Sequence, residues 1–302
     1  MSLTGFRDAA ARPLGVATAV TPASLLALKR SGAPITALTA YDYPTARLAD
    51  EAGIDMLLVG DSLAMAVLGH EDTLAVTMDE MLHHARAVRR ATQRALLVVD
   101  LPYGSYQISV EDTLRNSLRM VKEAGANAVK LEGGAAMASR VRALTAAEIP
   151  VVAHIGLTPQ SVNRMGGYRV QGRSEIEAMT LLDDALALED AGAIAIVLEG
   201  IPRELAALIT ARLHIPTIGI GAGPKCDGQI LVWHDVFGLS FRNAPKFVRQ
   251  FEDVAALMRK GLEEYRTAVS ERTFPRDEES YHLPTNVHLP ETEEPELSVW
   301  SE

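Results

Sequence analysis

Residues 55–62 read DMLLVGDS, an apolar run that stops abruptly at a carboxylate and a hydroxyl. Met56 to Val59 have the continuous apolar character of a parallel strand buried on both faces. Asp61 and Ser62 arrive just after Gly60, and a carboxylate in such surroundings is costly unless a cation meets it. The arrangement recurs: LLVVD closes on Asp100, AVKLE on Glu132, VVAH on His154 and AIVLE on Glu199. Five buried-type strands thus each deliver an acid or an imidazole at the carboxyl end. In an eight-stranded (β/α)8 barrel those ends share one mouth, where the active sites of that fold sit. The expected class is therefore α/β, a TIM barrel.

Outward from this stretch, strands are expected at 35–42, 55–62, 96–101, 128–132, 150–155, 193–199 and 216–220. Helices are expected at about 44–52, 78–92, 110–124, 135–147, 175–190 and 203–212. Thr21-Pro22 opens a short first helix that Gly32 closes, and Thr77 with Glu80 and Ser174 with Glu177 have capping-box spacing. The loops 63–76 and 156–173 are long for a barrel, which marks them as lid or binding loops. For the eighth strand, ILVW at 230–233 and FVRQF at 247–251 both qualify. Strict strand–helix alternation favours the second, with 227–238 as the seventh helix and a last helix at 252–269. No GxGxxG fingerprint follows the first strand, and the alternation argues for a barrel over an open doubly wound sheet.

The chain has 302 residues, and a barrel needs about 250. The expected organisation is an irregular segment at 1–19, the barrel at 20–271 and an acidic tail at 272–302. The overall charge of −10 is concentrated at the end, where Pro275–Glu302 holds eight acids against Arg276. Such a stretch is expected to be extended or disordered. No basic stripe points to nucleic acid, no apolar run reaches the roughly 18 residues of a membrane span, and no signal-peptide core opens the chain. A single cysteine, Cys226, excludes an internal disulfide and fits a reducing compartment; the cytoplasm is the expected location.

Asp61, Asp100 and Glu132 stand on consecutive strands, and all-oxygen donors gathered this way suit Mg²⁺ or a similar hard ion. Each carboxylate taken alone could instead pair with a local arginine or cap a helix. Lys130 lies two residues before Glu132 in one strand, so both face the same side. Its amine could neutralise an anionic substrate, form a Schiff base or merely contact Glu132. Ser62 is a hydrogen-bond donor for a substrate oxygen or a turn serine, and His154 a ligand-facing or a core histidine. Glu199 follows the apolar AIAIVL, surroundings that suit a general base, or it caps the next helix. GIGAG at 219–223 is a weak motif that lets a ligand approach the backbone. Cys226 reads as structural, and His83 and His84 read as surface or interface residues on an outer helix.

TAYDYPTARLADEAGIDMLLVGDSLAM, VVDLPYGSYQ, NAVKLEGG, HIGLTPQSVNRMGGYRVQGR, VLEGIP and GIGAGPKCDGQILVWHD together resemble the ketopantoate hydroxymethyltransferase family from about residue 20 to 270. The resemblance implies a barrel of the phosphoenolpyruvate/pyruvate superfamily. It implies Mg²⁺ bound by Asp61 and Asp100, with Glu132 holding metal-bound water. Ser62 and Lys130 would hold a keto acid, Glu199 would be the base and His154 would lie near the substrate. It also implies 3-methyl-2-oxobutanoate and 5,10-methylenetetrahydrofolate as substrates and a homo-oligomer, a decamer of two pentamers. The acidic tail lies outside the family pattern. Two rivals remain: another metal-dependent 2-oxo-acid lyase or mutase of the same superfamily, and a non-catalytic binding barrel.

Overall fold

In the computed structural model, which describes residues 18–290, every strand pairs in parallel and the sheet closes on itself. The elements run α1 (Pro22–Ser31), β1 (Ile35–Thr39), α2 (Tyr43–Glu51), β2 (Met56–Val59), α3 (Leu63–Ala66), α4 (Met78–Ala91) and β3 (Leu96–Asp100). There follow α5 (Val110–Ala124), β4 (Ala128–Glu132), α6 (Ala138–Ala146), β5 (Val151–Gly156), α7 (Val162–Met165), α8 (Glu175–Asp190), β6 (Ala195–Glu199) and α9 (Arg203–Arg212). The chain then forms β7 (Thr217–Ile220), β8 (Gly228–Leu231), α10 (Trp233–Val236) and α11 (Val254–Ser270). The strands are ordered β1 to β8 around the barrel.

Alternation along each strand sorts the core into two layers. Ala37, Met56, Leu58, Leu96, Val98, Ala128, Val152, Ala195, Val197, Ile218 and Ile230 form one cluster, the barrel interior. Leu57, Val59, Leu97, Val99, Val129, Leu131, Ala153, Ile196 and Leu198 belong to the other, packed with the helices. Val20 and Leu25 join the interior cluster, so α1 covers the amino-terminal end of the barrel. Lys29 of that helix pairs with Asp227 at 2.8 Å.

The capping signals are used as the sequence predicts. Thr21, Thr77 and Ser174 each cap a helix through a reciprocal box with Ser24, Glu80 and Glu177 respectively. The two long loops carry short helical turns, α3 in the first and Pro159–Ser161 with α7 in the second.

The expectation for the eighth strand is overturned. β8 is Gly228–Leu231, registered on β1 from Ile35↔Gly228 to Leu38↔Leu231 and on β7 at Ile218↔Gly228 and Gly219↔Gln229. No helix spans 227–238, and β7 is joined to β8 without one. The closing strand must lie hard against two neighbours. Gly228 allows this, since a Cβ there would lie 2.5 Å from the Ile35 carbonyl oxygen. FVRQF instead lies in irregular chain with Phe251 63% exposed, a position that buries no strand face.

The chain divides into two compact units between Glu252 and Asp253, ahead of the last helix that the sequence reading kept with the barrel. The second unit holds α11, most of whose side chains are exposed, and then irregular chain with one 3-10 turn at Asp277–Glu279. The irregular segment expected at the amino terminus, up to residue 17, and the end of the acidic tail, from 291, lie outside the described residues. Among the described residues no helix is long and apolar enough to cross a membrane.

Candidate active site

The inward-facing rows that fill the barrel with Leu96 and Val98, Ala128, Val152, and Ala195 and Val197 continue, at the same parity, into Asp100, Lys130, Glu132, His154 and Glu199. The alternation that builds the core therefore aims these polar groups into the mouth. Strand registers bring them side by side: Asp100 pairs with Lys130, Glu132 with His154, and Gly156 with Glu199. Asp61 and Ser62 follow β2 through Gly60, where a Cβ would meet the Ser62 Oγ at 2.9 Å and Asp100 Oδ2 at 3.4 Å. A side chain at 60 would fill the cradle between them. Gly156, at φ 94°, similarly permits the backbone turn beside Glu199.

Asp61, Asp100, Lys130, Glu132 and His154 are all at most 5% exposed, so each must find its partner within the protein. Lys130 Nζ donates to Asp100 Oδ1 at 2.6 Å and lies 4.0 Å from Glu132 Oε1. The Asp61 backbone N–H donates to Asp100 Oδ2 at 3.0 Å. His154 stands between two carboxylates, with Nδ1 3.3 Å from Glu132 and Nε2 3.2 Å from Glu199. Neither contact is a well-aligned hydrogen bond; both are close ion-pair approaches. The apolar surroundings that the sequence suggests for Glu199 are therefore interrupted by an imidazole.

Burial and the neighbouring Asp100 and Glu132 charges push the Asp61 carboxyl well above the ordinary range. Burial also raises Asp100, although Lys130 opposes it. Burial would raise Glu132 too, but its contacts with His154, Lys130 and the Gln160 backbone hold it below the usual value. For Lys130, burial disfavours the ammonium, yet Asp100, Glu132 and Asp61 keep it protonated above the lysine norm. Burial and Lys130 both lower His154, and Glu132 and Glu199 overcome them to hold it up at about 9. The mouth thus gathers four acidic side chains, Asp61, Asp100, Glu132 and Glu199, around Lys130 and His154.

Carboxylate oxygens are the donors that a hard divalent cation takes, and such an ion would offset the crowding of acids that raises the Asp61 carboxyl. Among the described residues no three His, Cys, Asp or Glu side chains converge as a metal-holding group. Glu132 is turned to His154 at 3.3 Å and accepts from the Gln160 backbone N–H at 3.0 Å.

Three residues escaped the sequence reading. Tyr41, fully enclosed, shares a 2.8 Å hydrogen bond with Ser62 Oγ. Its carbonyl meets His84 Nδ1 at 2.7 Å, so His84 braces the site from α4 rather than serving only the surface. Tyr106 and Gln160 link the loops after β3 and β5 at 2.7 Å. The only sequence signals for them were the length of the 156–173 loop and the polar stretch after Asp100. In GIGAG, the spaces over Gly219 and Gly221 are filled by Cys226 Sγ and the Phe247 ring. Beside Glu132 opens a cleft of about 380 Å³ lined by Tyr103, Tyr106, Met137, Gln160 and Arg164.

A sequence model of the family described as ketopantoate hydroxymethyltransferase matches residues 19–277. A 3-methyl-2-oxobutanoate hydroxymethyltransferase from Koribacter versatilis (strain Ellin345) is 58% identical over 88% of this chain and 90% of its own. The enzyme of that name from Moorella thermoacetica is 56% identical over 87% of this chain and 97% of its own. Among solved structures, a phosphonopyruvate hydrolase in complex with oxalate and Mg²⁺ superposes with a TM-score of 0.57 at 17% identity, over 85% of this chain and 92% of that one. A 2,3-dimethylmalate lyase, described as a PEP mutase/isocitrate lyase superfamily member, gives 0.54 at 17% identity, over 86% and 91%. These two speak for the shared barrel alone. With the family pattern matched across nearly all of the barrel and relatives above half identical, the chain belongs to the ketopantoate hydroxymethyltransferase family.

Proposed function

We propose that this chain converts 3-methyl-2-oxobutanoate, 5,10-methylenetetrahydrofolate and water into 2-dehydropantoate and tetrahydrofolate, a hydroxymethyl transfer for pantothenate synthesis. The family and the substrate printed in the relatives' name support the substrates. The lyase or mutase alternative is disfavoured by the same relatives. The observation that carries the chemistry is the position of Glu199, the strand-end carboxylate outside the Asp61, Asp100 and Glu132 group, against His154 at 3.2 Å.

Asp61 and Asp100 would hold a divalent cation such as Mg²⁺, which when bound supplies Lewis-acid polarisation of the keto oxygen. Lys130, kept as an ammonium by Asp100, offsets the substrate carboxylate's charge. Ser62, its hydroxyl oriented by Tyr41, donates to a substrate oxygen. Glu199 takes the C3 proton; water hydrolyses the methylene from the folate nitrogens as formaldehyde, tetrahydrofolate leaving, and the carbanion attacks that carbon, whose oxygen takes up a proton to become the hydroxymethyl group. His154, charged between Glu132 and Glu199, holds Glu199 in place and compensates its charge. A compartment that keeps Cys226 reduced and a homo-oligomeric state, a decamer of two pentamers, belong to the same reading. Exposed apolar residues such as Ile176 (81%) and Met179 (50%) on α8 support association, and sedimentation velocity checks it.

The test of the base omits the folate and follows exchange of the C3 proton of 3-methyl-2-oxobutanoate with deuterated water by NMR. The unchanged chain should exchange, and Glu199→Gln should lose the 10²–10⁴-fold typical of general-base catalysis while still folding. Exchange by Glu199→Gln at the unchanged rate would transfer the role of base to another group.

A further inference from the structure

We infer that Gln160 is a positioning residue for the cation-holding carboxylate Asp61, clamping it from the loop after β5. The inference rests on the cation reading above and goes beyond it, because Gln160 belongs to none of the strand ends.

The direction of every hydrogen bond in the clamp follows from donor and acceptor chemistry. Gln160 lies 5% exposed on the 3-10 turn Pro159–Ser161. One end of its amide meets the Leu101 carbonyl oxygen at 3.0 Å, which can only accept. That end is therefore the NH₂. The same nitrogen gives its other hydrogen to Asp61 Oδ2 at 2.8 Å, so both donors are used. The amide oxygen then faces Tyr106, whose hydroxyl must donate to it, at 2.7 Å. Tyr106 has one hydrogen, and its oxygen is left to accept the Glu132 backbone N–H at 3.1 Å. Gln107 Nε2 adds a second donor to the Gln160 oxygen at 3.3 Å.

The result is a one-way chain running from the β4 backbone through Tyr106 and Gln160 to Asp61. Reversing any member would set two donors or two acceptors face to face inside the protein, so the orientation is locked. Gln160 also donates its own backbone N–H to Glu132 Oε2 at 3.0 Å. One residue thus engages one oxygen of each of two site carboxylates. It fixes the plane of Asp61 and leaves Oδ1, which takes part in no hydrogen bond among the described residues, as the oxygen presented to a ligand. It also holds Glu132 toward His154. Partners of this kind around metal ligands are worth 10–100-fold in metal affinity.

The test measures Mn²⁺ alone binding to the full chain by the EPR signal of the free ion, beside thermal melts without metal. Gln160→Glu puts an acceptor where Asp61 needs a donor, and Gln160→Met keeps the length with neither donor nor acceptor. Both should weaken Mn²⁺ binding 10–100-fold. Tyr106→Phe, which keeps the ring and leaves the amide held by the Leu101 carbonyl and Asp61, should weaken it less than either. Mn²⁺ affinity within twofold of the unchanged chain in Gln160→Met, with only the melting temperature lowered, would make Gln160 a structural residue and overturn the inference. If Gln160→Glu does not fold, Gln160→Met and Tyr106→Phe decide by the same criteria. Absence of Mn²⁺ binding to the unchanged chain would instead overturn the cation reading, and the role of Gln160 with it.

Discussion

Lys130 brings its ammonium to within 2.6 Å of Asp100 and 4.0 Å of Glu132 in the buried mouth. Burial by itself would favour the neutral amine, but Asp100, Glu132 and Asp61 raise its pKa above the usual lysine value. A Schiff base needs the neutral amine as nucleophile, so this environment opposes one. Borohydride reduction in the presence of 3-methyl-2-oxobutanoate should leave the protein mass unchanged; a substrate-dependent mass increase mapped to Lys130 would establish the covalent route. Lys130→Met should also be strongly destabilising, by about 3–5 kcal/mol, because it strands Asp100 as a buried charge without its partner. Chemical denaturation compares the two chains directly.

At the scale of elements, β1 and β2 are tied at their amino-terminal ends by Asp55. Its carboxylate accepts the Thr36 backbone N–H at 3.0 Å and hydroxyl at 2.8 Å, and pairs with Arg94 at 2.6 Å. Burial would raise its pKa, yet the Thr36 bonds and Arg94 bring it below the usual aspartate value. A depressed folded-state value contributes stability above the unfolded value of about 3.9, which is lost as pH falls through the folded one. Asp55→Asn should therefore be less stable than the unchanged chain near neutral pH, and the gap should close in acid. A gap constant from neutrality to acid would show that the charge plays no part. Helix capping acts at the same scale: Thr77→Ala removes half of the box with Glu80 and should cost about 1 kcal/mol, read from the melting temperature.

At the scale of the whole molecule, a cation bound only by the folded state stabilises all of it through mass action. At a concentration 100 times Kd the gain is about 2.7 kcal/mol, and each kcal/mol moves the melting temperature of a large domain by roughly 2–4 °C. Mg²⁺ should raise the melting point by roughly that scale, and a chelator should return it. Asp61→Asn should abolish the shift. An equal shift in Asp61→Asn would place the binding elsewhere.

The amino-acid sequence by itself determined the repeating layers and the chemistry at their ends. A period of two in the strands decides which residues face the barrel axis, and Asp100, Lys130, Glu132, His154 and Glu199 inherit that direction whatever the loops do. Capping residues likewise act within a few positions, so Thr21, Thr77 and Ser174 were legible. Only the tertiary structure decided the rest, because those features depend on which distant backbones meet. The eighth strand is chosen by the gap left between β1 and β7, which GQIL fits through Gly228 and which no local pattern records. His154 becomes a bridge between two carboxylates through the stagger of β4, β5 and β6. Gln160 reaches Asp61 across 99 residues of sequence, and its amide has a direction only because the Leu101 carbonyl, Tyr106 and the β4 backbone close around it at once.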